Sequence, residues 1–146
     1  PSGRCHCSID QIERYRRKIS GPLLDRIDMH IEVPRVAYHQ LRGPPGETSA
    51  AVRSRVTGAR ERQQRRAHAL NNRLTNRQIE QSCRLNDADH LLLQRAMERL
   101  QLSARAYHRI LKVARTIADL GDSEVIASAH LGEAISYRQL DRGRDR

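Results

Sequence analysis

The sequence has no phenylalanine and no tryptophan, and its only aromatic side chains are Tyr15, Tyr38, Tyr107 and Tyr137. A platform that stacks single-stranded bases needs several aromatic faces, so that class of binder is excluded. Lysine is scarce too: of 27 basic residues only Lys18 and Lys112 are lysine. Arginine carries the rest, and its planar fork suits phosphate and carboxylate partners. No apolar run reaches the roughly 18 residues that a membrane-spanning helix needs, and no secretion leader opens the chain. No membrane is expected. Three cysteines, Cys5, Cys7 and Cys83, are too few for a disulfide framework and fit a reducing, cytoplasmic compartment.

Catalytic signatures are missing as well. A phosphate-binding loop ends in Gly-Lys-Ser/Thr, but Lys18 follows Arg17 and Lys112 follows Leu111. There is no Asp-Glu dipeptide to close a Walker B strand, no zinc-protease helix motif and no Gly-x-Ser-x-Gly elbow. Alone, the chain is expected to hydrolyse nothing. It starts abruptly at Pro1 and reads as a piece of a longer protein.

What is present is a 146-residue chain, 38% hydrophobic, with a net charge of +10. That length suits one domain with a real core. The charge is concentrated. Residues 48–84 hold nine arginines against Glu61 and Glu80, a net of +7, while the flanking thirds carry +2 and +1. This is either a solvated helix face or a surface for a polyanion such as DNA.

Ser8 is placed to cap a helix bearing Ile9, Ile12, Tyr15 and Ile19, which Ser20-Gly21-Pro22 ends. Ile27-Asp28-Met29-His30-Ile31-Glu32-Val33 alternates with period two, which predicts a strand. Residues 42–49 read as a linker. From there everything reads helical: 49–67 with Val52, Val56 and Ala59 inward, a short helix from the Thr75 capping box, and Asn86 to about Gln101. Ser103 caps 104–120, whose stripe is Tyr107, Ile110, Leu111, Ala114, Ile117 and Ala118, with Gly121 at the C′ position. Ser128 caps a last helix, and Arg138 to Arg146 reads as a fraying tail. The expected fold is mainly α: a short helix and strand, then a helical bundle.

On the helix 49–67, Arg53 and Arg60 flank the apolar stripe on one side, and Arg55, Arg62 and Arg66 on the other. Arg53, Arg60, Arg62 and Arg66 are the candidates for nucleic acid contact. Cys5-His6-Cys7 offers soft ligands for zinc, but a structural zinc site wants four, so two unliganded thiols is the competing reading. In Ser20-Gly21-Pro22-Leu23-Leu24-Asp25-Arg26-Ile27-Asp28, Arg26 follows a short apolar turn just before the expected strand. It either pairs with Asp25 or Asp28, or projects as an arginine finger into a neighbour's nucleotide site.

That string resembles the end of the ATPase core in the magnesium-chelatase-like AAA+ ATPases, in the branch tied to competence. The string Ser103-Ala104-Arg105-Ala106-Tyr107-His108-Arg109-Ile110-Leu111-Lys112-Val113-Ala114-Arg115-Thr116-Ile117-Ala118-Asp119-Leu120 resembles the lid helix of that branch, and His130-Leu131-Gly132-Glu133-Ala134-Ile135-Ser136-Tyr137-Arg138 is a third match. The resemblance implies residues 1–36 from the end of the ATPase core and residues 37–146 as the helical lid. It implies a hexameric ring with ATP and Mg2+ in the full-length protein and no cofactor on this fragment alone. Arg26 falls on the arginine-finger position, acting in trans, and Arg105 on the sensor-2 position. Family members carry a Cys-Pro-Cys-Gly string upstream that would complete a zinc set with Cys5 and Cys7. The implied activity is a DNA-remodelling helicase or branch-migration motor in natural transformation. The alternatives are a chelatase motor subunit and a non-enzymatic basic domain that binds nucleic acid.

Overall fold

The computed structural model describes residues 6–16, 18–38 and 42–138. Its elements are α1 (Ile9–Arg16), α2 (Gly21–Leu24), α3 (Ser49–Ala67), a 3-10 turn (Asn71–Arg73), α4 (Asn76–Ser82), α5 (Asp87–Leu100), α6 (Ala104–Leu120) and α7 (Ser128–Ser136). The protein is mainly helical, as expected.

Local capping sets the helix starts. The Thr48 hydroxyl accepts from Ala51 N at 3.3 Å, Asn86 Oδ1 from Asp89 N at 2.8 Å and Ser103 Oγ from Ala106 N at 3.2 Å. Thr75 and Gln78 form the expected reciprocal capping box. Each cap satisfies an amide that the helix itself leaves unpaired. The helix ends are less regular. His68 and Gln101 close α3 and α5 in the left-handed region, with φ of 51° and 50°. Gly121 was the expected left-handed residue after α6, but its φ is −87°, and Asp122 takes that role at 58°. Ser123 N then donates to Ala118 O at 2.8 Å, which satisfies a terminal carbonyl of α6.

The core gathers around α6, which packs on α7, α3, α4 and the 3-10 turn. Ile110, Leu111, Ala114 and Ala118 of α6 meet Leu93 of α5, Ile79 of α4, and Leu131 and Ala134 of α7. Each such Leu or Ile contributes about 1.5–3 kcal/mol by leaving water. Two sequence expectations for the core change. Val52 and Val56 remain 36% and 40% exposed, so the inward face of α3 begins only at Ala59. Arg138 belongs to the core rather than to a tail: it is 0% exposed.

The expected strand over 27–33 does not form. A strand needs a neighbour to take its backbone hydrogen bonds, and no other extended segment among the described residues offers one. One such bond is made, from His30 N to Tyr137 O at 2.8 Å. Ile31 and Val33 are 61% and 83% exposed. Among the described residues no helix is long and apolar enough to cross a membrane.

Candidate functional site: an arginine-lined cleft between the Arg26 turn and α6

α2 is a four-residue turn with Pro22 at its start and no buried residue of its own. Arg26 follows it, exposed, with its amide bonded to Leu23 O at 3.0 Å. Both carboxylates that could have neutralised Arg26 are engaged elsewhere. Asp28 pairs with Arg109 of α6, and Asp25 Oδ1 lies 3.7 Å from Arg138 Nη2. Among the described residues no carboxylate pairs with Arg26.

Arg105 is the second residue of α6. It is exposed, likewise without a carboxylate partner among the described residues, and sits where helix amides add positive potential. Arg26 and Arg105 line the same cleft, of about 880 Å³. His108, Arg109 and Lys112 extend its wall along α6, and Asn72 of the 3-10 turn and Asn76 of α4 also line it. Arg109 and Lys112 are both half-buried, and Lys112 Nζ donates to Asn72 O at 3.2 Å. The acidic side chains in the cleft are Asp28, taken by Arg109, and Glu133, which accepts from Tyr137 Oη at 2.8 Å. Among the described residues, Arg26, Arg105 and Lys112 face the cleft without a carboxylate partner, against the one carboxylate of Glu133, and this positive excess suits a polyanion such as a triphosphate.

The four candidate arginines of α3, out of the six that the helix carries, separate into two groups. Arg53 and Arg60 are exposed. Arg62 and Arg66 turn inward. Arg62 Nη1 donates to Asp119 O at 2.8 Å, and its other nitrogen pairs with Asp122. Arg66 forks onto Asp119 at 2.7 and 2.9 Å and reaches Asn71 Oδ1 at 2.9 Å. Asp119 is 0% exposed, also accepts from Asn71 Nδ2 at 2.8 Å, and forms an ion pair with Arg115, whose Nε lies 3.2 Å from its Oδ1. Burial works against its charge, but the hydrogen bonds from Arg66 and Asn71 prevail and hold its carboxyl below the ordinary value. Burial lowers the Arg115 guanidinium, which also donates to Glu124 O and Ser123 O at 2.9 and 2.5 Å. Sequence spacing gave no signal for this network, because Arg66 and Asp119 are 53 positions apart.

Cys5 lies outside the described residues. Cys7 is exposed and Cys83 is buried. Among the described residues no group of three His, Cys, Asp or Glu side chains is placed to hold a metal.

Residues 46–138 match the family model described as magnesium chelatase, subunit ChlI C-terminal, and residues 1–41 match magnesium chelatase, subunit ChlI. The chain belongs to this family. It is 50% identical over 137 residues to the competence protein ComM of Haemophilus influenzae, covering 92% of the chain and 27% of that protein. It is 46% identical over 138 residues to YifB of Escherichia coli, covering 93% of the chain and 27% of that protein. A Mycobacterium bovis relative, Mb2921c, is 34% identical over 139 residues, covering 92% and 28%. The chain thus spans about a quarter of the length of these relatives.

Proposed function

We propose that the chain is the C-terminal part of a ring-forming AAA+ ATPase that remodels DNA, with residues 37–146 as its lid. Arg26, as a finger reaching a neighbouring subunit's ATP, and Arg105, as sensor 2, face the phosphates between subunits. The observation that carries this reading is the shared cleft: two arginines far apart in sequence line it, both without a carboxylate partner among the described residues.

Arg26 and Arg105 fit the phosphate oxygens of ATP. Phosphoryl transfer needs little covalent help and much positive charge at the transferring oxygens. Bound ATP supplies the transferable phosphoryl group, and Mg2+ neutralises part of its charge. Arg26 would bring a guanidinium to those oxygens from a turn anchored beside the cleft. Arg105 would do the same from the start of α6, so that its position follows that of the whole helix.

The DNA role rests on the net charge of +7 over residues 48–84, of which the exposed Arg53 and Arg60 are the part of α3 proposed to meet DNA. Arg62 and Arg66 serve the fold in this reading. Similarity to a protein named for competence points the same way. A chelatase motor remains the competing assignment because the family models bear that description.

ATP hydrolysis by the full-length protein, with and without branched DNA, tests the proposal. Turnover stimulated by DNA is expected. Turnover that ignores DNA, together with no salt-sensitive DNA binding, would favour the chelatase motor.

A further inference from the structure

The turn that carries Arg26 cannot fix itself. α2 buries nothing: its own Leu23 is 49% exposed, and Ile27 just beyond it is 39% exposed. The bundle holds it instead, on both sides of the arginine. On one side Asp25 lies 3.7 Å from Arg138. On the other, Asp28 pairs with Arg109, and Arg138 Nη1 donates to Ile27 O at 2.5 Å. The Tyr137 carbonyl, next to Arg138, accepts from His30 N at 2.8 Å. Arg138 is wholly buried, which fixes its fork. Arg109 stands one helical turn beyond Arg105 on α6.

We propose that Arg109 and Arg138 are positioning residues for Arg26: they clamp its turn to α6 and α7, so that Arg26 and Arg105 move as one body. This rests on the reading of Arg26 as a phosphate-facing arginine. The Asp28–Arg109 pair contributes little to stability, because Asp28 is 55% exposed at its side chain and exposed ion pairs are worth little. Its effect is orientation, where a displacement of roughly 1 Å costs about a hundredfold in rate.

The test is a charge exchange in the full-length protein, read as kcat and KM for ATP hydrolysis. Asp28→Arg and Arg109→Asp should each lower kcat by about ten- to a hundredfold. The double variant should regain most of that loss, because the pair is restored with its polarity reversed. Asp25→Asn, which loosens the Arg138 side of the clamp, should lower kcat in the same direction. Single variants that keep wild-type kcat while Arg26→Ala loses it would overturn the clamp and leave the role of Arg26 standing. A double variant no better than the singles would also overturn it, as the losses would then come from damage to the fold. If Arg26→Ala itself keeps wild-type kcat, the reading of Arg26 falls, and the clamp with it.

Discussion

Arg26 and Arg105 face one cleft, and the acidic neighbours of Arg26 are bound to other arginines. Asp25 and Asp28 could have neutralised Arg26. Their pairing with Arg138 and Arg109 leaves Arg26 charged and exposed on a turn tied to the bundle. An arginine kept without a carboxylate partner is available to an anion from outside the domain.

The buried centre of the domain is Asp119, and its removal should cost stability. Asp119→Asn leaves Arg115 and Arg66 facing a neutral amide in the interior. Breaking a buried ion pair by removing one partner costs about 3–5 kcal/mol. Urea unfolding of the chain should show a loss of unfolding free energy of that order, read from the midpoint and slope together, with Asp122→Asn, on the exposed side of Arg62, costing far less.

The same carboxylate sets an acid dependence. Asp119 has its folded-state pKa below the ordinary carboxylate value. Its contribution is therefore fully present above the unfolded value of about 4 and is lost as pH falls through the folded value. Thermal midpoints measured from pH 6 down to pH 2 should fall below about pH 4. The fall should be shallower in Asp119→Asn.

Cysteine reactivity should divide by burial. The Cys83 thiol is pushed up to about 11 by burial, and the side chain is 4% exposed, whereas Cys7 is exposed. The thiolate is the reactive species. Maleimide labelling of the native chain at neutral pH should spare Cys83 and mark Cys7, and denaturant should make Cys83 reactive.

The arginines of α3 should separate into two functional groups. Arg53→Ala and Arg60→Ala should weaken duplex DNA binding. Each should reduce the slope of log affinity against log salt by up to about 0.9 for every phosphate that the arginine neutralises. Arg66→Ala should instead lower the unfolding midpoint, since Arg66 holds Asp119. DNA binding unchanged in the Arg53→Ala/Arg60→Ala double variant would remove the DNA surface from α3.

Much of the helical plan was legible because it is local. Thr75, Asn86 and Ser103 cap where their side chains predict, and the α6 stripe buries Ile110, Leu111, Ala114 and Ala118 as its spacing requires. What misled was whatever depends on distant partners. The 27–33 run alternates like a strand, but alternation is realised only when another strand accepts its hydrogen bonds. Arg62, Arg66 and Arg138 look solvated in sequence, and only the folded chain brings Asp119, Asp122 and the Ile27 carbonyl to them. Ser128 was expected to cap α7. It lies one residue inside the helix, and its hydroxyl goes to Asp89 Oδ1 at 2.5 Å. For the site, Arg26 and Arg105 stood out through their motifs. Arg109 and Arg138, which hold the Arg26 turn, lie within the matching strings but on no position to which the resemblance gives a role.

The most direct test is ATP turnover by the full-length protein carrying Arg26→Ala or Arg105→Ala, with assembly followed in parallel. An arginine finger is worth roughly 10³–10⁵ in kcat, so Arg26→Ala should drop turnover by about 10³ or more with the oligomer intact. Arg105→Ala should impair the same step. Wild-type turnover in either variant would contradict a shared phosphate site.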